Sequence, residues 1–136
     1  MDLGIKYFDP RVIKPNSVVL MIGRRGSGKS TVAEDFMSYH TQISEGVCVS
    51  PTDSMNRFWT KHIPPLFIHH SYSHDITEKF LGHQEAKWKK EVKRCNRKGV
   101  EPNCKDIEPA FVIYDDVTYD KSFLRNTMTR RLLMNG

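Results

Sequence analysis

Ser17–Val18–Val19–Leu20–Met21–Ile22–Gly23–Arg24–Arg25–Gly26–Ser27–Gly28–Lys29–Ser30 is the stretch whose reading decides the fold. Its first six residues form a short, mostly apolar run rich in β-branched side chains, bounded by Pro15 and Gly23, which predicts a buried parallel strand. Its last eight match G-x-x-x-x-G-K-[ST] at every fixed position. From Lys29 the spacing turns helical, with Val32, Ala33, Phe36 and Met37 on one stripe and Glu34 and Asp35 off it. That helix is expected to last until about His40 or Ile43. Strand, glycine-rich loop and helix in this order make a cradle for phosphate. Glycines let the loop curl so that successive N–H groups face inward, and the helix N-terminus adds partial positive charge. The candidate phosphate-binding residues are Gly23, Arg24, Arg25, Gly26, Ser27, Gly28, Lys29, Ser30 and Thr31. Within this set Lys29 is suited to the β- and γ-phosphates of ATP, and the Ser30 hydroxyl to Mg²⁺. Arg24 and Arg25 sit at variable positions and read equally well as solvated side chains.

Working outward, Gly46–Val47–Cys48–Val49–Ser50 reads as a second strand closed by Pro51. Thr52, Asp53 and Ser54 offer capping oxygens for a short helix through Phe58 and Trp59. Pro64–Pro65 must break it, and Leu66–Phe67–Ile68 fits a short third strand. Helical spacing returns from Ile76 through Phe80, Gln84, Trp88, Val92 and Cys95, and Gly99, Pro102 and Asn103 form a loop. Ala110–Phe111–Val112–Ile113–Tyr114 is the fourth strand, and Asp120 caps a final helix carrying Phe123, Leu124, Met128, Leu132 and Leu133. Strands alternating with helices predict an α/β fold in three layers around a mainly parallel sheet. Four strands is thin for this class. The sequence stops at Asn135–Gly136, one helix after the fourth strand, so the reading is of a single domain, 1–136, incomplete at its C-terminal end.

The acidic half of the site is expected at Asp115–Asp116, where an apolar strand ends. Open α/β sheets bind ligands at that edge. Asp115 is expected to hold Mg²⁺, directly or through water. Asp116 is expected to orient the water attacking the γ-phosphate, so the catalytic candidates are Lys29, Asp115 and Asp116. Which aspartate serves as base stays open. Thr52 and Asp53 follow the second strand and could face a nucleotide, but helix capping is the simpler reading. Arg130 and Arg131 read as exposed arginines of a terminal helix. His69, His70, His74 and His83 form a loose group whose spacing falls short of a zinc site.

Composition narrows the partners. The 136 residues are 38% hydrophobic and 27% charged, which fits one globular domain, excludes collagen-like and disulfide-framework classes and argues against wholesale disorder. The net charge is +5. Between Lys87 and Lys98 stand Lys87, Lys89, Lys90, Lys93, Arg94, Arg97 and Lys98 against Glu91 alone, so that segment carries +6 and the remainder −1. Such a run is usually a solvated helix face. The asymmetry makes Lys89, Lys90, Lys93, Arg94 and Arg97 candidate contacts to nucleic-acid phosphates. Cys48, Cys95 and Cys104 lack C-x-x-C spacing and read as reduced thiols. The longest apolar run is far short of the ~20 residues a membrane helix needs, and no membrane partner is expected. Met1 to Lys6 has no apolar leader core, so secretion is not expected either.

Phe8–Asp9–Pro10, Ile13–Lys14–Pro15 and the loop Gly23 to Ser30 resemble the opening of the packaging ATPases of large nucleocytoplasmic DNA viruses. These are poxvirus-like members of the FtsK–HerA group of P-loop NTPases. The likeness continues in patches at Val49–Ser50–Pro51–Thr52, Pro64 to Ile68, Val112 to Asp116, Tyr119–Asp120–Lys121 and Leu133 to Gly136. It implies ATP hydrolysis with Mg²⁺, coupled to moving double-stranded DNA into a capsid. Other copies of the chain in a ring, and capsid or portal components, are the implied partners. Residues Gly23 to Ser30 would be the Walker A loop and Asp115–Asp116 the Walker B pair. The family's sensor strand and trans-acting arginine would lie beyond Gly136. The implied setting is the cytoplasm of an infected cell, or the virion. Two alternatives stay open: a small P-loop nucleoside or nucleotide kinase with Asp53 as its acid, and a nucleotide-binding fragment without turnover.

Overall fold

The structure is a computed structural model that describes residues 4, 7–14 and 17–135. The expected strand boundary at Pro15 and the C-terminal Gly136 lie outside the described residues. The chain divides into two compact units, Met1–Gln42 and Ile43–Gly136.

In the first unit, Asp9 caps a 3-10 turn, Pro10–Val12, by accepting the Arg11 amide at 3.0 Å. Phe8 meets Phe36 edge-on, with ring centroids 6.2 Å apart. Helix α1 runs Lys29–Tyr39, within the span its apolar stripe predicts, and stops at His40. The run Ser17 to Ile22 departs from expectation. It is not a strand: it joins no ladder, and Leu20 and Ile22 are 79% and 88% exposed. Apolar composition supplies side chains for a buried strand, but a strand also needs a neighbouring strand to take up its backbone hydrogen bonds, and among the described residues this run pairs with none.

The second unit is α/β, built on three parallel strands: β1 Glu45–Val49, β2 Ile68–His69 and β3 Ala110–Tyr114, in the order β2-β1-β3. The expected four strands are thus three among the described residues. Strand β1 is central, and Cys48 and Val49 at its end are fully buried, as the unbroken apolar run of an inner parallel strand requires. Register pairs Gly46 with Phe111 and Val49 with Tyr114. The Phe111 ring lies across Gly46 so closely that a Cβ there would meet three ring carbons at 2.6 Å.

The connections are more broken than the sequence suggests. Helix α2 covers only Asp53–Asn56, with no side-chain cap from Thr52, and ends where Arg57 turns left-handed at φ 48°. A separate 3-10 turn, Trp59–Lys61, follows. Pro65 opens another 3-10 turn through Phe67, so the expected strand at Leu66–Ile68 shrinks to Ile68–His69. Helix α3, His74–Lys98, is 25 residues long, starts from a Ser73 cap and stops at left-handed Gly99. The expected final helix is two: α4 Lys121–Arg125, capped by Asp120, and α5 Thr127–Asn135. Asn126 breaks it, its extended backbone letting Oδ1 accept the amides of Met128 (2.6 Å) and Thr129 (3.1 Å). This local bonding is how asparagine competes with a continuous helix. Val49, Val117 and Phe123 form a buried cluster with Tyr72, Ile76 and Tyr114 packed on it. The buried hydroxyls of Thr77 and Thr129 are matched to Tyr114 (2.6 Å) and Tyr72 (2.8 Å).

Candidate functional site

The candidate phosphate-binding residues, 23–31, lie together in the first unit. Gly26 and Gly28 take φ of +76° and +85°, a left-handed backbone that side chains other than glycine rarely adopt. The loop closes on itself through the Ser27 amide, which bonds the Arg24 carbonyl at 3.2 Å. Its mouth is bridged by the Lys29 ammonium, which donates to the carbonyls of Gly23 and Arg24, both at 3.0 Å. A Cβ at Gly23 would meet Ser27 Oγ at 2.6 Å, so the loop is tight there. Helix α1 starts from Gly28 without a side-chain cap and has no acid in its first turn. The amides of Lys29, Ser30 and Thr31 therefore find no acceptor among the described residues. Three open donors, a helix terminus and an ammonium within one short loop are what an oxyanion-rich ligand requires. Arg24 and Arg25 are exposed.

Asp115 and Asp116 belong to the second unit. The Asp115 amide bonds the Val49 carbonyl at 2.9 Å, extending the β1–β3 ladder one residue past the strand. Its carboxylate is held on a single oxygen: Oδ2 accepts Ser50 Oγ at 3.0 Å and the Trp59 indole N–H at 2.9 Å. Oδ1 has no hydrogen-bond partner among the described residues. Asp116 turns left-handed at φ 52° and is exposed. Aspartate tolerates that conformation better than most side chains, and the turn takes the chain abruptly off the sheet edge.

Asp53 is not available to a ligand. It is 1% exposed, with Oδ1 accepting the amides of Trp59 (2.6 Å) and Thr60 (3.4 Å) and Oδ2 the Thr60 hydroxyl (2.6 Å). Hydrogen bonds to a charged group contribute about 1.5–3 kcal/mol each, so this acid is committed to holding the Trp59 turn. Neither does it cap α2. Burial pushes the Cys48 thiol up to about 12, with smaller contributions from the charges of Asp115 and Asp53.

Sequence reading missed Ser50 and Trp59. Ser50 was within reach: the register that pairs Val49 with Tyr114 puts Ser50 beside Asp115 at the next rung. Trp59 carried no such signal, since it arrives through an irregular loop.

The basic segment is helix α3. Lys87 forms an ion pair with Glu45 of β1, and that hydrogen bond holds the Glu45 carboxyl below its usual range. Arg94 grips Glu91 at 2.8 Å, bringing that carboxyl down to about 2. Arg94, one of the expected phosphate contacts, is thereby paired with an acid of its own helix. Lys89, Lys90, Lys93 and Arg97 instead line, with Ala86, an open groove of about 300 Å³. Arg131 pairs with Glu85 at 3.0 Å, tying α5 to α3. His83 lies 3.5 Å from Glu45, and His74 bonds Asn126. Among the described residues no three His, Cys, Asp or Glu side chains are grouped to hold a metal, and no helix is long and apolar enough to cross a membrane.

Two viral proteins are similar to this chain. One, an uncharacterized protein of Acanthamoeba polyphaga mimivirus, is 33% identical over 99% of this chain and 44% of its own length. The other, an uncharacterized protein of Invertebrate iridescent virus 6, is 29% identical over 99% of this chain and 51% of its own length. The chain spans about half the length of these relatives. No family model matches the sequence, and no solved structure matches it.

Proposed function

We propose that this chain is the ATP-binding and hydrolysing part of a viral DNA-packaging motor, a P-loop NTPase of the FtsK–HerA type. The observation that carries the reading is the loop Gly23 to Ser30: two left-handed glycines, a lysine across its mouth and open amides at the start of α1. Similarity to two viral proteins supports the viral setting of this reading.

In this reading the loop amides and the Lys29 ammonium bind the β- and γ-phosphates of ATP. The residues suit Mg²⁺ as well, because that ion needs only one or two protein oxygens beside phosphate and water. Asp115 has one carboxylate oxygen unengaged, and the Ser30 hydroxyl has no hydrogen bond among the described residues. When bound, Mg²⁺ neutralises charge developing on the phosphate oxygens. Asp116 accepts a proton from the attacking water or orients it. The groove cations of α3 contact the double-stranded DNA being moved. Assembly with other copies in a ring, engagement of a capsid or portal, and action in infected-cell cytoplasm or the virion belong to the same proposal. The kinase alternative needs Asp53 free for a substrate, and Asp53 is buried and fully engaged.

Binding of a fluorescent ATP analogue and phosphate release, each with and without double-stranded DNA, test the reading. Lys29→Ala is expected to weaken ATP binding about 10–100-fold, the loss of charge-assisted bonds of about 1.5–3 kcal/mol, with an unchanged circular-dichroism spectrum. DNA-stimulated phosphate release supports the motor. Unaltered ATP affinity in Lys29→Ala overturns the site; phosphoryl transfer to a nucleoside, or binding without turnover in the full-length protein, overturns the motor.

A further inference from the structure

Resting on the reading of Asp115 as a Mg²⁺ ligand, we infer that Trp59 and Ser50 are positioning residues that lock its carboxylate so that Oδ1 alone is offered to the cation. Both donors converge on Oδ2, from different elements: Ser50 from the end of β1, Trp59 from the 3-10 turn after α2. Neither donor can wander. Ser50 is fully buried, and its amide bonds the His69 carbonyl of β2 at 2.9 Å. Trp59 is 1% exposed, stands edge-on to Phe58 with centroids 5.0 Å apart, and has its amide gripped by Asp53 at 2.6 Å.

The result is a relay of fixed geometry, Asp53 to Trp59 to Asp115, in which a buried acid with no route to a ligand sets the direction of one at the sheet edge. An indole N–H needs one acceptor when buried, and any carbonyl would satisfy it. Here the acceptor is the first acid after the strand, at the edge where parallel sheets take ligands. Partners that orient a metal's own ligand typically govern metal affinity about 10–100-fold. The relay therefore acts on the metal requirement, and nucleotide held by the loop without metal is outside its reach.

The test is Mg²⁺ titration of fluorescent-ATP binding in the full-length protein, comparing wild type, Trp59→Phe, Ser50→Ala and Asp115→Asn. Trp59→Phe keeps the ring and removes the N–H; Ser50→Ala removes one hydroxyl and covers the case in which the tryptophan variant does not fold. Each is expected to raise the Mg²⁺ concentration at half-saturation about tenfold, and to change metal-free binding less than twofold. A second readout uses Trp88→Phe in the 136-residue chain, where it leaves Trp59 as the sole tryptophan. Its emission is expected to shift on adding Mg²⁺ with ATP, and to lose that response when Asp115→Asn is added. An unchanged Mg²⁺ requirement in folded Trp59→Phe and Ser50→Ala overturns the positioning role while nucleotide binding stands. Absence of Lys29-dependent ATP binding in the wild type instead overturns the nucleotide site, and the relay's purpose with it.

Discussion

Burial separates the three cysteines more sharply than their spacing does. Cys48 is fully buried on the central strand, Cys95 is buried on α3, and Cys104 is exposed. Burial and two nearby carboxylates raise the Cys48 thiol to about 12, and a hydrogen bond to Glu91 raises Cys95. Native protein at pH 8 is therefore expected to show one thiol that reacts rapidly with an aromatic disulfide reagent, and two that react only on unfolding; rapid reaction of Cys48 contradicts the packing of β1. The sign of the pH effect follows from the same shift. Above about 8.5 the unfolded thiol loses its proton while the folded one keeps it, so stability falls as pH rises from there to about 12. At this scale Asp115 was legible as a polar residue ending an apolar strand. Its donors were not, because Trp59 reaches it across 56 positions of sequence.

Elements with a strong periodicity came out close to expectation. Helices α1 and α3 follow their apolar stripes, and β1 and β3 their β-branched runs. Where short-range bonding competes with periodicity, the pattern misleads: Asn126 divides one apolar helix in two, and Arg57 and Pro65 cut the path between β1 and β2 into single turns. Helix α3 shows what a charge count leaves out. Of the cations in its basic half, Lys87 and Arg94 answer to Glu45 and Glu91, whereas Lys89, Lys90, Lys93 and Arg97 share one groove. Replacing Lys89, Lys90 and Lys93 together by alanine is expected to weaken double-stranded DNA binding and flatten its salt dependence, by roughly 0.9 in log–log slope for each phosphate left without its cation. Arg94→Ala is expected to change the slope little. Equal slopes for the triple variant and the wild type would remove DNA from this face.

Across the whole chain, burial is uneven. None of the described residues up to 42 is buried, and every buried side chain among the described residues lies in the second unit. Backbone protection follows buried, hydrogen-bonded structure. Amide hydrogen exchange should therefore be orders of magnitude slower in β1, β3 and the middle of α3 than in residues 17–28. Protection of residues 18–22 equal to that of β1 would mean that the run is paired after all. Its sequence is that of a strand, and the property it lacks among the described residues, a paired strand on either side, is not written in its own residues.

The packing of Phe111 on Gly46 reaches further than its size suggests. It works as a key in a lock: the ring fits over the one residue of β1 that has no side chain. Sliding β3 by a single residue would drive that ring into Glu45 or Val47, and would also turn every side chain of the strand to the opposite face. Asp115 would then leave the sheet away from Ser50 and Trp59. One glycine, four residues before the first of those donors, thus decides on which side of the molecule the acid emerges.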